Sequence, residues 1–375
     1  MLKGIDLTLM IGLVEPLPVP KEVLDALTSV EVTSRSDAPS GFQLKFILNK
    51  RSPLHTLFLI AGGAQIPMVR VLIVVTMNGT PEVLMDGVMT NHEVTGGSEA
   101  HGPVLTISGE DLSRAMDYID FTGFPYPAMP PEARVLVILA KYAFLGVIPL
   151  VIPSILIDVP IPVDRIPIHQ GTDFCYLRKL ATAIGYVFHV DPGPTPGTSV
   201  GYWGPDIKVG TPQPALNIDM DAFTNVESLS FTFNSQAASI PIIFISEQFT
   251  HAPIPIPIPD FSPINPPLGL IPPLPLKFDL LQGTAKQSPI EAAETGMAEA
   301  SKAADAVTAT GSLDVLRYGQ ILKARRLVGV RGSGPAFEGL YYVKSVTHKI
   351  KRGEFTQDFV LTRNGLLSTF PRVPA

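Results

Sequence analysis

The chain has 375 residues, 34 acidic against 28 basic side chains and a net charge of −6, with 46% hydrophobic but only 17% charged residues. The length suits two to three domains, and the acidic balance gives no global electrostatic reason to bind nucleic acid or an anionic membrane, which argues against nucleic acid as the main ligand. A charged fraction below the roughly 25% usual for soluble domains means that much of the surface must be covered, most economically by partner subunits.

One cysteine, Cys175, excludes an intrachain disulfide and a cysteine-based metal cluster, in keeping with synthesis in a reducing cytosol. The first residues, MLKGIDLTLMIGLVEPLP, have too short an apolar run and no small-residue cleavage site for a signal peptide. The 38 prolines gather in the middle and late parts of the chain, so several connecting arms should be extended and stiff.

In chain order, residues 30–48 form two β runs around a turn at Asp37, Pro39 and Gly41, and residues 68–97 repeat the device with Asn78-Gly79 as a tight turn. PVLTISGEDLSRAMD reads as a strand entering a short helix, with Ser108 as its N-cap in a Ser-x-x-Asp pattern. Five or six strands before residue 110 predict a small barrel. Residues 131–157 are the most hydrophobic stretch, but Arg134, Lys141, Pro149 and Pro153 interrupt it, which favours a buried helix of about three turns over a membrane span of about 20 apolar residues.

TDFCYLRKLATAIGYVFHVD predicts an amphipathic helix with Phe174, Leu177, Leu180 and Ala181 on one face, Gly185 as stop, and a strand to follow; SVGYWGPDI is the partner strand. A second β region opens at Val226, Leu229, Phe231 and Phe233. It is interrupted by a proline-rich arm over 251–279, which cannot enter a sheet interior, and by an alanine-rich segment that is either a marginal helix or a flexible link. Strand signals resume at YGQILKARRLVGVRG and end in the hairpin YYVKSVTHKIKRGEFTQDFVLTRNG, with His348, Lys349, Lys351 and Arg352 at its turn.

Chemical signatures are weak. Residues 197–201 match G-x-S-x-G, yet a nucleophile at Ser199 needs a strand before and a helix after it, and here a Gly/Pro loop leads into a strand. No histidine pair has metal-ligand spacing, Cys175 reads as a packed structural thiol, and Glu110-Asp111 and Asp219/Asp221 are explained by capping and turns. No cofactor, metal or catalytic residue is assigned. The cluster Lys323, Arg325, Arg326, Arg331, Lys344, Lys349, Lys351 and Arg352 is either a solvated face or a positive rim for an acidic partner.

The ordered series GEDLSRAMD, DFCYLRKLATAIGYVFHVD, YWGPD, TNVESLSFTF and GLYYVKSVTHKIKRGEFTQDFVLTRNG resembles the phage late-control D protein family. That family includes baseplate hubs of contractile tails and is related to the hub portion of VgrG and to hubs of extracellular contractile injection systems. The resemblance covers most of the chain, through loose aromatic and apolar patterns.

It implies a mainly β fold with α+β insertions: two small β-barrels per chain, a helix-hairpin middle unit, and a homotrimeric hub ring with pseudo-sixfold symmetry. The expected division is 1–115, first barrel; 116–168, apolar helix and proline-rich connection; 169–212, small α/β unit; 213–250 with 312–370, second barrel; and 251–311, insertion. The implied function is structural and non-enzymatic. The hub joins a hexameric inner tube, or a tube-initiator protein, to a separate trimeric spike protein, with further baseplate neighbours. It binds no nucleic acid, is not stably inserted in a membrane, and is assembled in the cytoplasm. Lys349, Lys351 and Arg352 are the candidate partner interface. The rival readings are a hydrolase acting on the cell envelope, through Ser199 or a carboxylate pair, and a protein anchored to a membrane by 131–157.

Overall fold

The structure is a computed structural model that describes residues 5–12, 14–48, 54, 68–96, 102–154, 166–246, 253–258, 266–281, 289–302 and 305–369. The first region holds β1 (Ile5–Gly12), β2 (Leu17–Pro18), α1 (Lys21–Ala26), β3 (Leu27–Arg35), β4 (Gly41–Ile47), β5 (Arg70–Met77), β6 (Thr80–Thr95) and β7 (Val104–Asp111). Strict alternation buries Val30 and Val32, Phe42, Leu44 and Phe46, and Leu105 and Ile107 on one face. Asn78 and Gly79 both have positive φ, 50° and 82°, and close the β5–β6 hairpin as expected.

Ser108 is not a cap. β7 runs on to Asp111, whose carboxylate accepts from the Ser113 N–H at 3.0 Å and caps a 3-10 helix over Leu112–Asp117. Seven residues of continuous ladder with β4 outweigh a local capping pattern.

The middle unit contains α2 (Pro131–Ala140), β8 (Val147–Val151), α3 (Asp173–Ala183), β9 (Tyr186–Pro192) and β10 (Ser199–Pro205). α2 has ten residues, about the three turns expected, and Val147–Val151 of the same apolar stretch is an edge strand. Gly146, at φ 76°, ends a short 3-10 turn, and β8 then pairs in parallel with β10, where Pro149 needs no outward N–H. β9 and β10 pair antiparallel as expected, and α3 ends before Gly185, at φ 75°. Val135, Ile138 and Leu139 of α2, Tyr176, Leu177 and Ala181 of α3, and Trp203 of β10 form this unit's own core.

The second region comprises β11 (Gln213–Asn217), β12 (Ser228–Phe233), β13 (Ser239–Ser246), β14 (Pro253–Pro257), β15 (Gly269–Ile271), β16 (Lys277–Leu280), α4 (Pro289–Lys302), β17 (Val307–Asp314), α5 (Val315–Tyr318), β18 (Leu327–Arg331), β19 (Gly339–Lys351), β20 (Glu354–Arg363) and β21 (Leu366–Ser368). The proline-rich arm keeps out of sheet interiors as expected, but where it is described it includes strands: β14 is an edge strand of the sheet β14-β13-β16. Pro253, Pro255 and Pro257 alternate with Ile254 and Ile256. The isoleucine amides are left for the ladder with β13, and no donor faces outward. The alanine-rich segment is α4, which buries Ala292, Gly296 and Ala300 at helical spacing, with Gly296 packed close to Ile243 of β13 and Ile258.

The main sheet has 13 strands in the order β12-β17-β20-β19-β3-β4-β7-β6-β5-β1-β2, with β18 on β19 and β11 on β18. β19 joins the two β regions by pairing antiparallel with β3 from Ser345↔Arg35 to Lys351↔Ser29. Both regions share one apolar cluster, from Leu9 and Phe46 through Val32 and Val346 to Phe359 and Leu361. No sheet closes on itself among the described residues.

Candidate functional site: assembly surfaces and buried polar networks

The terminal hairpin turns at Arg352-Gly353, between the paired Lys351 and Glu354. His348 does not sit at the turn: it points into the core, 4% exposed, with Nδ1 2.9 Å from Gln357 Nε2. Alternation explains this, because His348 shares its face with Val346 and Ile350. Burial alone pushes the imidazole pKa down to about 4, so the ring is neutral.

Lys349 lies on the opposite face, ion-paired to Asp358 and opposite Glu31 of β3. Lys351 and Arg352 are exposed, and the Arg352 guanidinium donates to the Asp25 carbonyl at 2.9 Å. The tip thus lies against the first β region of its own chain. Much of the basic cluster is also matched internally: Lys323 with Glu82 at 2.5 Å, Lys344 with Asp37 at 3.3 Å, and Arg325 with Asp191. A continuous positive rim is therefore not present, because carboxylates distant in sequence are folded against these bases.

Ser199 is 1% exposed and its Oγ donates to Asp86 Oδ2 at 3.0 Å. That carboxylate is held by a two-point contact with Arg70, at 2.7 and 2.6 Å, and Arg70 also donates to the carbonyls of Val14 and Gly197. The ion pair is fully buried, so its geometry must be satisfied at every donor. A serine donating to an arginine-bound carboxylate has no base to activate it. The arrangement ties β5 and β6 to the loop before β10. Arg70 and Asp86 carried a signal in the sequence, as charges within otherwise apolar strand runs.

A second network joins residues that carry no shared motif in the sequence. His169 and Asp173 are fully buried, with His169 Nδ1 3.0 Å from the Tyr126 hydroxyl. Asp173 accepts from Tyr142 at 2.7 Å and pairs with Lys141 at 2.6 Å, while Arg134 donates to the Tyr176 hydroxyl at 2.7 Å. Burial lowers the His169 pKa, against an opposing pull from Asp173. Burial and then Asp173 raise Tyr126 to about 12. Lys141 stands 3.9 Å over the Phe121 ring. These contacts fasten α2 to the start of α3.

Cys175 is exposed, contrary to the expectation of a packed thiol. The α3 stripe runs through Asp173, Tyr176, Leu177 and Ala181, and Cys175 falls beside it. Among the described residues no group of three His, Cys, Asp or Glu side chains could hold a metal ion, and no helix is long and apolar enough to cross a membrane.

The exposed surface is richest in large apolar side chains along 270–280, where Leu270, Leu274, Leu276, Phe278 and Leu280 lie open, Leu274 at 77%. Across the main sheet, the face opposite the core is polar. Ser228 and Ser312, Ser230 and Thr310, and Thr33 and Thr347 form hydroxyl pairs from strand to strand.

No protein-family model matches the chain, and no curated protein matches its sequence. Solved structures do match its fold. A tail protein from Neisseria meningitidis MC58 aligns with a TM-score of 0.62 over 97% of this chain and 98% of its own, at 13% identity. The 43 kDa tail protein of prophage MuSo2 from Shewanella oneidensis aligns at 0.61 over 96% and 98%, at 15% identity. A chain of the Francisella PdpA–VgrG complex aligns at 0.61, covering all of this chain but 55% of its own length, at 8% identity. The chain has the fold of phage tail proteins and VgrG-related proteins, which agrees with the resemblance to the baseplate hub family.

Proposed function

We propose that the protein is a structural baseplate hub of a contractile tail or injection system, a ring of three copies that joins a hexameric inner tube to a separate trimeric spike. The supporting observation is the end-to-end match to tail proteins of nearly equal length, 97% of this chain against 98% of one and 96% against 98% of another. The polar, strand-rich sheet face and buried rather than reactive polar networks fit a load-bearing part without catalysis. In this reading the two β regions act as the paired barrels that give a trimer pseudo-sixfold symmetry. The exposed leucines and Phe278 of 270–280 contact neighbouring baseplate or spike proteins, and the tip bearing Lys349, Lys351 and Arg352 is a docking edge for the tube side.

Mass photometry and negative-stain imaging of the purified chain test this. Ring-shaped trimers are expected; a stable monomer at micromolar concentration rejects the reading.

A further inference from the structure

The order of strands contains a repeat that shows how two copies fit together. β3, β4, β5, β6 and β7 share their sequence order and pairing with β12, β17, β18, β19 and β20: β3 pairs β4, β4 pairs β7, β7 pairs β6 and β6 pairs β5, just as β12 pairs β17, β17 pairs β20, β20 pairs β19 and β19 pairs β18. The long strand is bulged at the same place in each repeat, between Met89 and Asn91 in β6 and between Val343 and Ser345 in β19. The residue before each bulge makes the same bond: Met89 N–H donates to Val69 O, and Val343 N–H donates to Arg326 O, each at 2.9 Å.

One difference between the repeats concerns their edges. The half of β19 beyond its bulge is paired, on the side away from β20, with β3. The corresponding half of β6, from Thr90 to Thr95, has no such neighbour among the described residues, and neither does the outer edge of β12, the counterpart of β3. Two edges that meet within the chain therefore recur as two edges left open. Val94, the counterpart of buried His348, is 47% exposed on the open half of β6.

We propose that β12 of one copy pairs antiparallel with the Thr90–Thr95 half of β6 of a second copy, in the register of the internal β19–β3 junction. Carrying that register across sets His92 opposite Phe233, Val94 opposite Phe231 and Glu93 opposite Thr232. Leu229, Phe231 and Phe233 then extend the core face of the second copy's sheet past Val94, while Glu93 and Thr232 continue its polar face. The contact is head-to-tail, so each copy offers one edge of each kind and repetition gives a ring wherever the rotation closes. It deepens the ring reading and rests on it, but names a junction that a trimer could lack.

Glu93 and Thr232 correspond to Thr347 and Thr33, a non-hydrogen-bonded pair, whose Cα separation of about 4.5 Å suits a disulfide. In a Cys175→Ser background, the double variant Glu93→Cys/Thr232→Cys should form intermolecular disulfides on mild oxidation at least tenfold faster than Glu93→Cys/Ser230→Cys, which is two residues out of register. Val94→Pro removes an outward N–H and should abolish assembly while leaving the thermal midpoint of the monomer within a few degrees. Rings that form with equal cross-linking in both double variants, or that survive Val94→Pro, overturn this junction but not the ring. Absence of any oligomer overturns both.

Discussion

The hydroxyls of Thr33 and Thr347, 314 positions apart in the chain, lie 3.0 Å apart across the boundary between the two β regions. They stand in a cross-strand pair between β3 and β19, and on the opposite face of the same strands the buried Val32 pairs with His348. The two regions are one cooperative sheet at this point.

Replacing Val32 by Asp places an unpaired charge in that shared core. A loss of at least about 3 kcal/mol, or failure to fold, is expected in urea titration. The exposed-face pair is worth less: a double-mutant cycle of Thr33→Ala and Thr347→Ala should return a coupling of about 0.2–1 kcal/mol. Separate unfolding transitions for the two regions would contradict a shared core.

His348 makes stability depend on pH in a defined direction. Its folded pKa of about 4 lies below the ordinary 6.5, so its contribution is complete above pH 6.5 and is lost as pH falls toward 4. At pH 5 the loss amounts to about 2 kcal/mol at 1.36 kcal/mol per unit. Unfolding curves from pH 7 to 4.5 should be steeper in pH for the native chain than for His348→Gln; equal slopes would remove His348 as a source.

Asp86→Ala leaves Arg70 buried without its counter-ion, at a cost of about 3–5 kcal/mol. Ser199→Ala removes one hydrogen bond to a charged group and should cost about 1.5–3 kcal/mol, with no change in any hydrolytic assay. Loss of a measured peptidoglycan or esterase activity in Ser199→Ala would instead support the hydrolase reading.

Substituting Val for Pro255 and Pro257 restores amides on the outer edge of β14. Concentration-dependent aggregation by light scattering is expected, with the native chain remaining clear. Cys175, being exposed, should react with a thiol reagent in the folded protein without denaturant.

Alternation made the strands around Val30, Phe42 and Ile107 legible, Asn78-Gly79 fixed its hairpin, and helical spacing placed α3 followed by β9. These are local rules, carried by residues within a few positions of one another. The Ser108 cap failed because a long-range ladder held β7 extended past it. The helix of about three turns within the apolar stretch is α2, but nothing local in the sequence signalled that Gly146 and pairing with β10 would make Val147–Val151 a strand.

The polar networks show the same division. Isolated charges at Arg70 and Asp86 could be flagged in the sequence, but not that they would find each other and Ser199, since the cost of burying a charge says only that a partner is needed. His169, Tyr126 and Asp173 gave no local sign at all. By itself the sequence determined the alternating strands, the exclusion of the proline arm from a sheet interior and the low surface charge that calls for partners. Only the tertiary structure decided that β19 would bind β3, that Lys323, Arg325 and Lys344 would find carboxylates far away in the chain, and that β12 and the outer half of β6 have no partner strand there among the described residues. Strand register and ion pairing depend on contacts between residues hundreds of positions apart, and no local period encodes them.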